Sequence, residues 1–236
     1  MQPNFQNVSF NLFGFPTAIQ PFFWVVAALI TALSLGDINN NMPIWLAHLF
    51  VGTMGVLLSI LVHELGHALV FRYVLRVPSA IVLHGFGGMT MPLQHFPRQH
   101  GFNGALAHCF LAFAGPLAGF MLAFVMIVIS LITPADGSLI TNLFHYFLSW
   151  TARISIFWGI INLMPIYPID GGQISREIFL FFSPRQGVRV SLIVSMMVAI
   201  LLAVFALQHQ SLIIALFFAF FAYQNYQEMT FGSFRR

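Results

Sequence analysis

Residues 61–69 read LVHELGHAL and place two histidines and a glutamate inside a run that is otherwise typical of a membrane-spanning helix. Residues four apart lie on one face of a helix, so His63 and His67 can offer imidazole nitrogens to one metal ion. Glu64 lies about 100° round the helix from His63, close enough to take a proton from water at that metal. Alternatively, the three groups merely satisfy one another. Because ionisable groups are costly inside a membrane, we favour metal ligation.

The composition is that of a membrane protein rather than a soluble domain. Of 236 residues, 59% are hydrophobic and 6% are charged, whereas about a quarter of a soluble domain is charged. Six spans of about 20 to 25 residues would use most of the chain. We therefore predict an all-α polytopic membrane protein with about six transmembrane helices and a short membrane-associated β-hairpin or strand segment. The single cysteine, Cys109, excludes an intrachain disulfide.

The chain divides by composition into three parts. Residues 1–16 are polar and aromatic and are predicted to form an interfacial segment, without a secretory signal peptide. Residues 17–226 form the six-helix core, with a strand or loop insert at about 77–101, and residues 227–236 form a cytoplasmic tail. The predicted spans are approximately 18–35, 44–73, 105–132, 139–163, 190–207 and 212–226.

Within the insert the spacing of apolar residues is no longer helical, and residues 79–91 have β-branched residues followed by glycines. This pattern fits a short strand or hairpin about as well as a plain connecting loop. A strand edge beside such a metal site could hold an extended peptide through main-chain hydrogen bonds. His84, His95 and His100 are interpreted as solvated loop histidines. The small residues Gly115 and Gly119 of the third span are predicted to pack against the metal-bearing helix. For His108, in the same span, we favour an interfacial or packing role over that of a third metal ligand.

A second motif follows the fourth span, where residues 162–172 read NLMPIYPIDGG. Two prolines three apart cannot continue a regular helix, so Asp170 can point inward from a broken backbone. A zinc site needs a third protein ligand beside two histidines, and Asp170 is the best candidate in the chain. The alternative is a turn or helix-capping aspartate.

Six spans would put both termini and the segments 77–101 and 165–189 on one side of the membrane. Eight of the nine arginines fall on that side, six of them in these regions and two, Arg72 and Arg76, at the adjoining end of the second span. This side is therefore predicted to be cytoplasmic. This charge balance reflects topology, and no nucleic-acid partner is expected. The ninth arginine, Arg153, lies within the fourth span and needs a partner that the sequence does not identify.

Together the two motifs resemble those of the site-2 protease family of intramembrane zinc metalloproteases. The first is the family's helix motif, and residues 162–171 match its Asn-x-x-Pro-x-x-Pro-x-Asp-Gly pattern. The resemblance covers roughly residues 17–226 and implies a minimal six-helix form without PDZ or CBS domain. Gln173 stands where the family often has a basic residue.

The resemblance also implies the roles of individual residues. His63, His67 and Asp170 would bind one Zn²⁺ ion, and Glu64 would act as general base and then as general acid. Asn162 would position substrate or stabilise the oxyanion, and the segment around Gly87 and Gly88 would bind substrate.

The sequence therefore predicts an intramembrane zinc endopeptidase that cleaves a transmembrane segment of another protein, as in regulated intramembrane proteolysis. Its partners would be that substrate and the lipid bilayer. We expect a multi-pass protein of a bacterial cytoplasmic membrane, with its termini and active-site opening on the cytoplasmic side. The alternatives are a metal transporter with an intramembrane transit site and a non-catalytic relative that binds helices. Neither alternative needs a glutamate beside His63.

Overall fold

A computed structural model describes residues 8–36, 41–94 and 102–232, which contain four β-strands and seven α-helices. The strands are β1 (Val8–Leu12), β2 (Phe15–Ile19), β3 (Ser79–His84) and β4 (Gly87–Pro92). The helices are α1 (Pro21–Leu35), α2 (Met42–Tyr73), α3 (Phe102–Ile132), α4 (Leu139–Asn162), α5 (Asp170–Phe182), α6 (Gly187–Gln208) and α7 (Leu212–Phe231). The mainly helical architecture with a small sheet confirms the coarse prediction.

Three of the described helices are long and apolar enough to cross a membrane, namely α2, α3 from Asn103 onward, and α6. Helix α1 is apolar but shorter, with 15 residues. Large apolar side chains stand exposed along these helices, as they do on lipid-facing surfaces, for example Phe22, Met121, Phe124 and Leu201. The chain is a multi-pass membrane protein, and the count of six spans stays a prediction.

The four strands form one sheet in the order β1-β2-β3-β4. Strands β3 and β4 are antiparallel, with Leu83 opposite Gly88, so the hairpin alternative for the insert is confirmed. Strand β2 pairs with β3 in parallel, with Thr17 opposite Ile81. Strand β4 therefore lies at one edge of the sheet.

The N-terminal hairpin β1–β2 was not predicted, because residues 1–16 were interpreted only as an interfacial segment. The two strands are joined at Phe13 and Gly14, both with positive φ. The guanidinium of Arg72, in the last turn of α2, donates hydrogen bonds to the carbonyl oxygens of Phe13 and Gly14 at 2.7 and 2.9 Å. It also lies 4.1 Å from the centroid of the Phe15 ring. Arg72 thus fastens the hairpin to α2.

The chain divides into two compact units, of which the first comprises residues 1–96 and 114–160. It contains the sheet, α1, α2, most of α3 and nearly all of α4. Its hydrophobic core lies between the sheet and the helices and includes the side chains of Phe15, Phe23, Val56, Ile60, Ile81, Leu83 and Trp150. Helix α2 begins at an N-cap where the Asn41 side chain accepts a hydrogen bond from the backbone N–H of Ile44, as N-capping requires.

The second unit comprises residues 97–113 and 161–236 and contains α5, α6 and α7. Its core is formed by Ile166, Ala199 and Phe218. Helix α5 lies between the fourth and fifth predicted spans, in a segment for which no span is predicted. Helix α7 continues to Phe231, so the first part of the predicted tail at 227–236 is helical.

Candidate metal centre and active site

The inner face of α2 carries the candidate ligands. Ser59, His63 and His67 follow one another at intervals of four residues, and all three are buried. One turn before the histidines, the Ser59 hydroxyl lies 3.1 Å from the carbonyl oxygen of Thr151 and accepts a hydrogen bond from Ser155 at 3.0 Å. These contacts between α2 and α4 fix the rotation of α2 about its axis and so the direction in which its histidines point.

The two imidazoles are arranged as ligands of a single ion would be. Their Nε2 atoms lie 3.3 Å apart, and the rings are inclined by 77° with centroids 5.0 Å apart. Two nitrogens bound to one tetrahedral zinc at about 2.0 to 2.1 Å would be about 3.3 to 3.4 Å apart. The observed spacing therefore fits joint ligation.

Gly115 of α3 leaves room beside both imidazoles. A Cβ atom at this position would lie 2.2 Å from Nε2 of His67 and 2.8 Å from Nε2 of His63, much closer than van der Waals contact allows. The predicted packing of this glycine against α2 is therefore observed. Gly119, one turn further along α3, faces α4 instead, since its Cβ would lie 3.5 Å from the Ser155 carbonyl oxygen.

Asp170 is the first residue of α5 and is buried. The preceding turn folds back on the helix so closely that a Cβ on Gly171 would lie 2.2 Å from the carbonyl oxygen of Leu163. The turn is held at Tyr167, whose backbone N–H donates to the Ser195 hydroxyl at 3.0 Å and whose carbonyl oxygen accepts from the Asn225 side chain. Side chains of α6 and α7 thus fix the backbone immediately before Asp170.

One nitrogen each of His63 and His67 and one carboxylate oxygen of Asp170 lie within 4.8 Å of one another. Two imidazoles and one carboxylate are donors that zinc accepts, and a catalytic zinc site uses three protein ligands. The three buried side chains therefore form a group that can hold one zinc ion.

Glu64 is only 4% exposed and lies beneath strand β4. Its Oε2 atom accepts a hydrogen bond from the Thr90 hydroxyl at 2.8 Å. A Cβ on Gly88 would lie 2.3 Å from Cγ of Glu64, so the absence of a side chain at Gly88 makes space for the carboxylate. Sequence reasoning missed Thr90, because a single threonine in a strand carries no signal that it faces a glutamate.

The other predicted site residues lie in several places. Gly87 packs against Trp158 of α4, where its Cβ would come within 2.5 Å of the ring. Asn162 is buried at the last position of α4. His84 is a half-buried residue of β3 rather than a solvated loop histidine. Burial lowers the pKa of His84, and the negative charge of Glu64 opposes that shift. His95 and His100 lie outside the described residues.

Two residues left unexplained by the sequence have contacts in the structure. Nε of Arg153 donates to the carbonyl oxygen of Ser149 at 3.3 Å, and its guanidinium lies 5.3 Å from the Trp150 ring centroid. The side-chain amide of Gln173 donates to the carbonyl oxygen of Pro168 at 3.1 Å. Gln173 therefore supports the same turn that precedes Asp170. His108 lies in the first turns of α3 and is half-buried.

Comparisons with known proteins show which family and which relatives this chain is similar to. The model of peptidase family M50 matches residues 128–205, which include Asn162 and Asp170. A zinc metalloprotease of Methanocaldococcus jannaschii is 30% identical over 171 residues, 72% of this chain. Over residues 128–205 the chain is similar to peptidase family M50, the site-2 protease family. Stage IV sporulation protein FB of Bacillus subtilis is 28% identical over 220 residues, 89% of the chain.

The solved structure of the site-2 protease from M. jannaschii has the same fold. It superposes with a TM-score of 0.59 over 94% of this chain and 95% of that chain, at 24% sequence identity. The present chain spans 44% of the length of the M. jannaschii zinc metalloprotease and 66% of the length of the B. subtilis protein.

Proposed function

We propose that this protein is an intramembrane zinc endopeptidase that cleaves a membrane-spanning segment of another protein. The observation that carries the proposal is the group formed by His63, His67 and Asp170 with the buried carboxylate of Glu64 beside it on α2. A site that only transports metal, or only binds helices, has no use for such a carboxylate.

His63, His67 and Asp170 would hold the zinc ion. When bound, zinc supplies Lewis-acid chemistry, lowering the pKa of water toward about 7 and polarising a carbonyl group. Glu64 would take a proton from the attacking water as the new carbon–oxygen bond forms. It would then return that proton to the departing amide nitrogen as the peptide carbon–nitrogen bond breaks. Asn162, buried at the end of α4, would position the substrate or stabilise the oxyanion.

Strand β4 is the surface proposed to receive the substrate. It lies at an edge of the sheet and begins with Gly87 and Gly88, the latter directly against Glu64. An extended peptide can add to such an edge through main-chain hydrogen bonds. Because backbone groups of a membrane helix are otherwise paired, the substrate helix would have to unwind locally before cleavage.

We further propose a core of six membrane spans in a bacterial cytoplasmic membrane. Both termini and the opening of the site would lie on the cytoplasmic side, because eight of the nine arginines fall on that side of a six-span arrangement.

Cleavage of a membrane-spanning peptide by the purified protein in liposomes tests this function. The Glu64→Gln variant keeps the size of the side chain but removes the base, so it should lose cleavage while retaining its zinc. Equal cleavage by wild type and variant would refute a role for Glu64. Zinc flux across the liposome without peptide cleavage would instead favour a metal transporter.

A further inference from the structure

We propose that Thr90 is a positioning residue, which holds the Glu64 carboxylate in the orientation that the proposed peptidase reaction needs. This inference rests on the proposed function, because Thr90 would act by orienting Glu64, the proposed general base. It concerns a strand residue that neither sequence motif contains.

The Thr90 hydroxyl contacts Glu64 at two points. Its oxygen lies 2.8 Å from Oε2 of the carboxylate and 2.9 Å from the backbone carbonyl oxygen of the same residue. The hydroxyl has one proton, which it donates to one of these two oxygens or shares between them, so both the carboxylate and the backbone carbonyl of Glu64 lie at the same donor. A glutamate side chain has three rotatable bonds, and burial alone does not select one of its rotamers.

The placement of Thr90 is set by the sheet. Gly88 and Thr90 are two residues apart on β4, so they face the same side of the strand, and both lie against Glu64. Gly88 leaves space where Glu64 passes, and Thr90 supplies a hydrogen-bond donor to the carboxylate. Met89, between them, is 47% exposed on the other face. Strand β4 thus has one face shaped to receive Glu64.

Rigid support of a catalytic group matters because small misplacements of reacting groups reduce rates strongly. A hydrogen bond to an ionised group contributes enough that its loss should lower kcat by about 10- to 100-fold. Since Thr90 acts through Glu64 rather than on the substrate, KM should stay within about 2-fold, as expected when only transition-state stabilisation is lost.

The test compares three variants in the liposome cleavage assay. Thr90→Val removes the hydroxyl and keeps the shape, whereas Thr90→Ser keeps the hydroxyl. Thr17→Val is a matched control, because Thr17 of β2 and Thr90 of β4 lie on either side of the same β3 residue, Ile81. Its hydroxyl bonds the carbonyl oxygen of Phe15 instead of Glu64. We expect Thr90→Val to lose kcat, Thr90→Ser to regain most of it, and Thr17→Val to match wild type, with zinc content equal throughout.

Full kcat in Thr90→Val would overturn the positioning role, and so would a loss that Thr90→Ser does not restore. If wild type itself cleaves no membrane-spanning peptide, the proposed function fails and this inference fails with it. Active wild type with unaffected Thr90→Val refutes only the role of Thr90.

Discussion

Replacing Gly115 by alanine should weaken zinc binding, because the new methyl group would enter the space beside the two imidazoles. Its carbon would lie 2.2 Å from Nε2 of His67, whereas non-bonded heavy atoms approach to about 3.5 Å. The His67 ring or the α3 backbone must therefore move by about 1.3 Å, the difference between these distances.

A displacement of that size is large compared with the tolerance of about 0.2 Å on a metal–ligand distance. Changes next to metal ligands typically lower metal affinity by about 10- to 100-fold, which corresponds to about 1.4 to 2.7 kcal/mol. Overpacking of the helix contact should add a stability cost of about 1 to 3 kcal/mol.

The assay is competition for zinc between the purified protein and a chelator of known affinity, with the retained metal measured by atomic emission. Gly119→Ala is the matched control, one turn along the same helix, because its Cβ would make only an ordinary 3.5 Å contact with the Ser155 carbonyl oxygen. Zinc affinity equal to wild type in Gly115→Ala, or an equal loss in both variants, would refute the reasoning.

Two further predictions concern parts of the fold away from the metal. Arg72→Met removes both hydrogen bonds to the Phe13–Gly14 turn, so the local stability of the β1–β2 hairpin should fall by about 1 to 3 kcal/mol. Hydrogen exchange of residues 8–19 should accelerate in this variant and not in Arg76→Met, and equal exchange in the two would contradict the role of Arg72. Hydrogen bonds from Thr141 and Ser138 lower the pKa of Asp136 to about 2, below the unfolded value of about 3.9, so their stabilising effect should be complete above about pH 4 and fade as the pH falls toward 2. In wild type, backbone hydrogen exchange in the first turn of α4 should therefore accelerate as the pH falls from about 4 to 2. The Asp136→Asn variant should not show this acceleration, and the same acceleration in the variant would show that Asp136 does not cause it.

The parts of the site that could be predicted from sequence are those with a local signal. The spacing of His63 and His67 fixes a common helix face, and the prolines before Asp170 require a break in the helix. The β3–β4 hairpin was one of two open alternatives, because its alternation is short and its glycines suit a loop equally well.

The parts that were missed depend on contacts between residues distant in sequence. The parallel pairing of β2 with β3 joins Thr17 to Ile81, and no local pattern specifies such a partner. The contacts of Thr90 with Glu64 likewise depend on how strand β4 packs against helix α2. Helix α5 lies in the segment 165–189, for which the sequence predicts no span, and its turns follow the proline-rich break directly.

X-ray absorption at the zinc edge of the purified protein tests the proposed site most directly. We predict one zinc ion per chain with only nitrogen and oxygen ligands at about 2.0 to 2.2 Å, including two imidazoles, and a loss of tight binding in Asp170→Asn. A protein that binds no zinc, a sulfur ligand at about 2.3 Å, or an unchanged site in Asp170→Asn would contradict ligation by His63, His67 and Asp170.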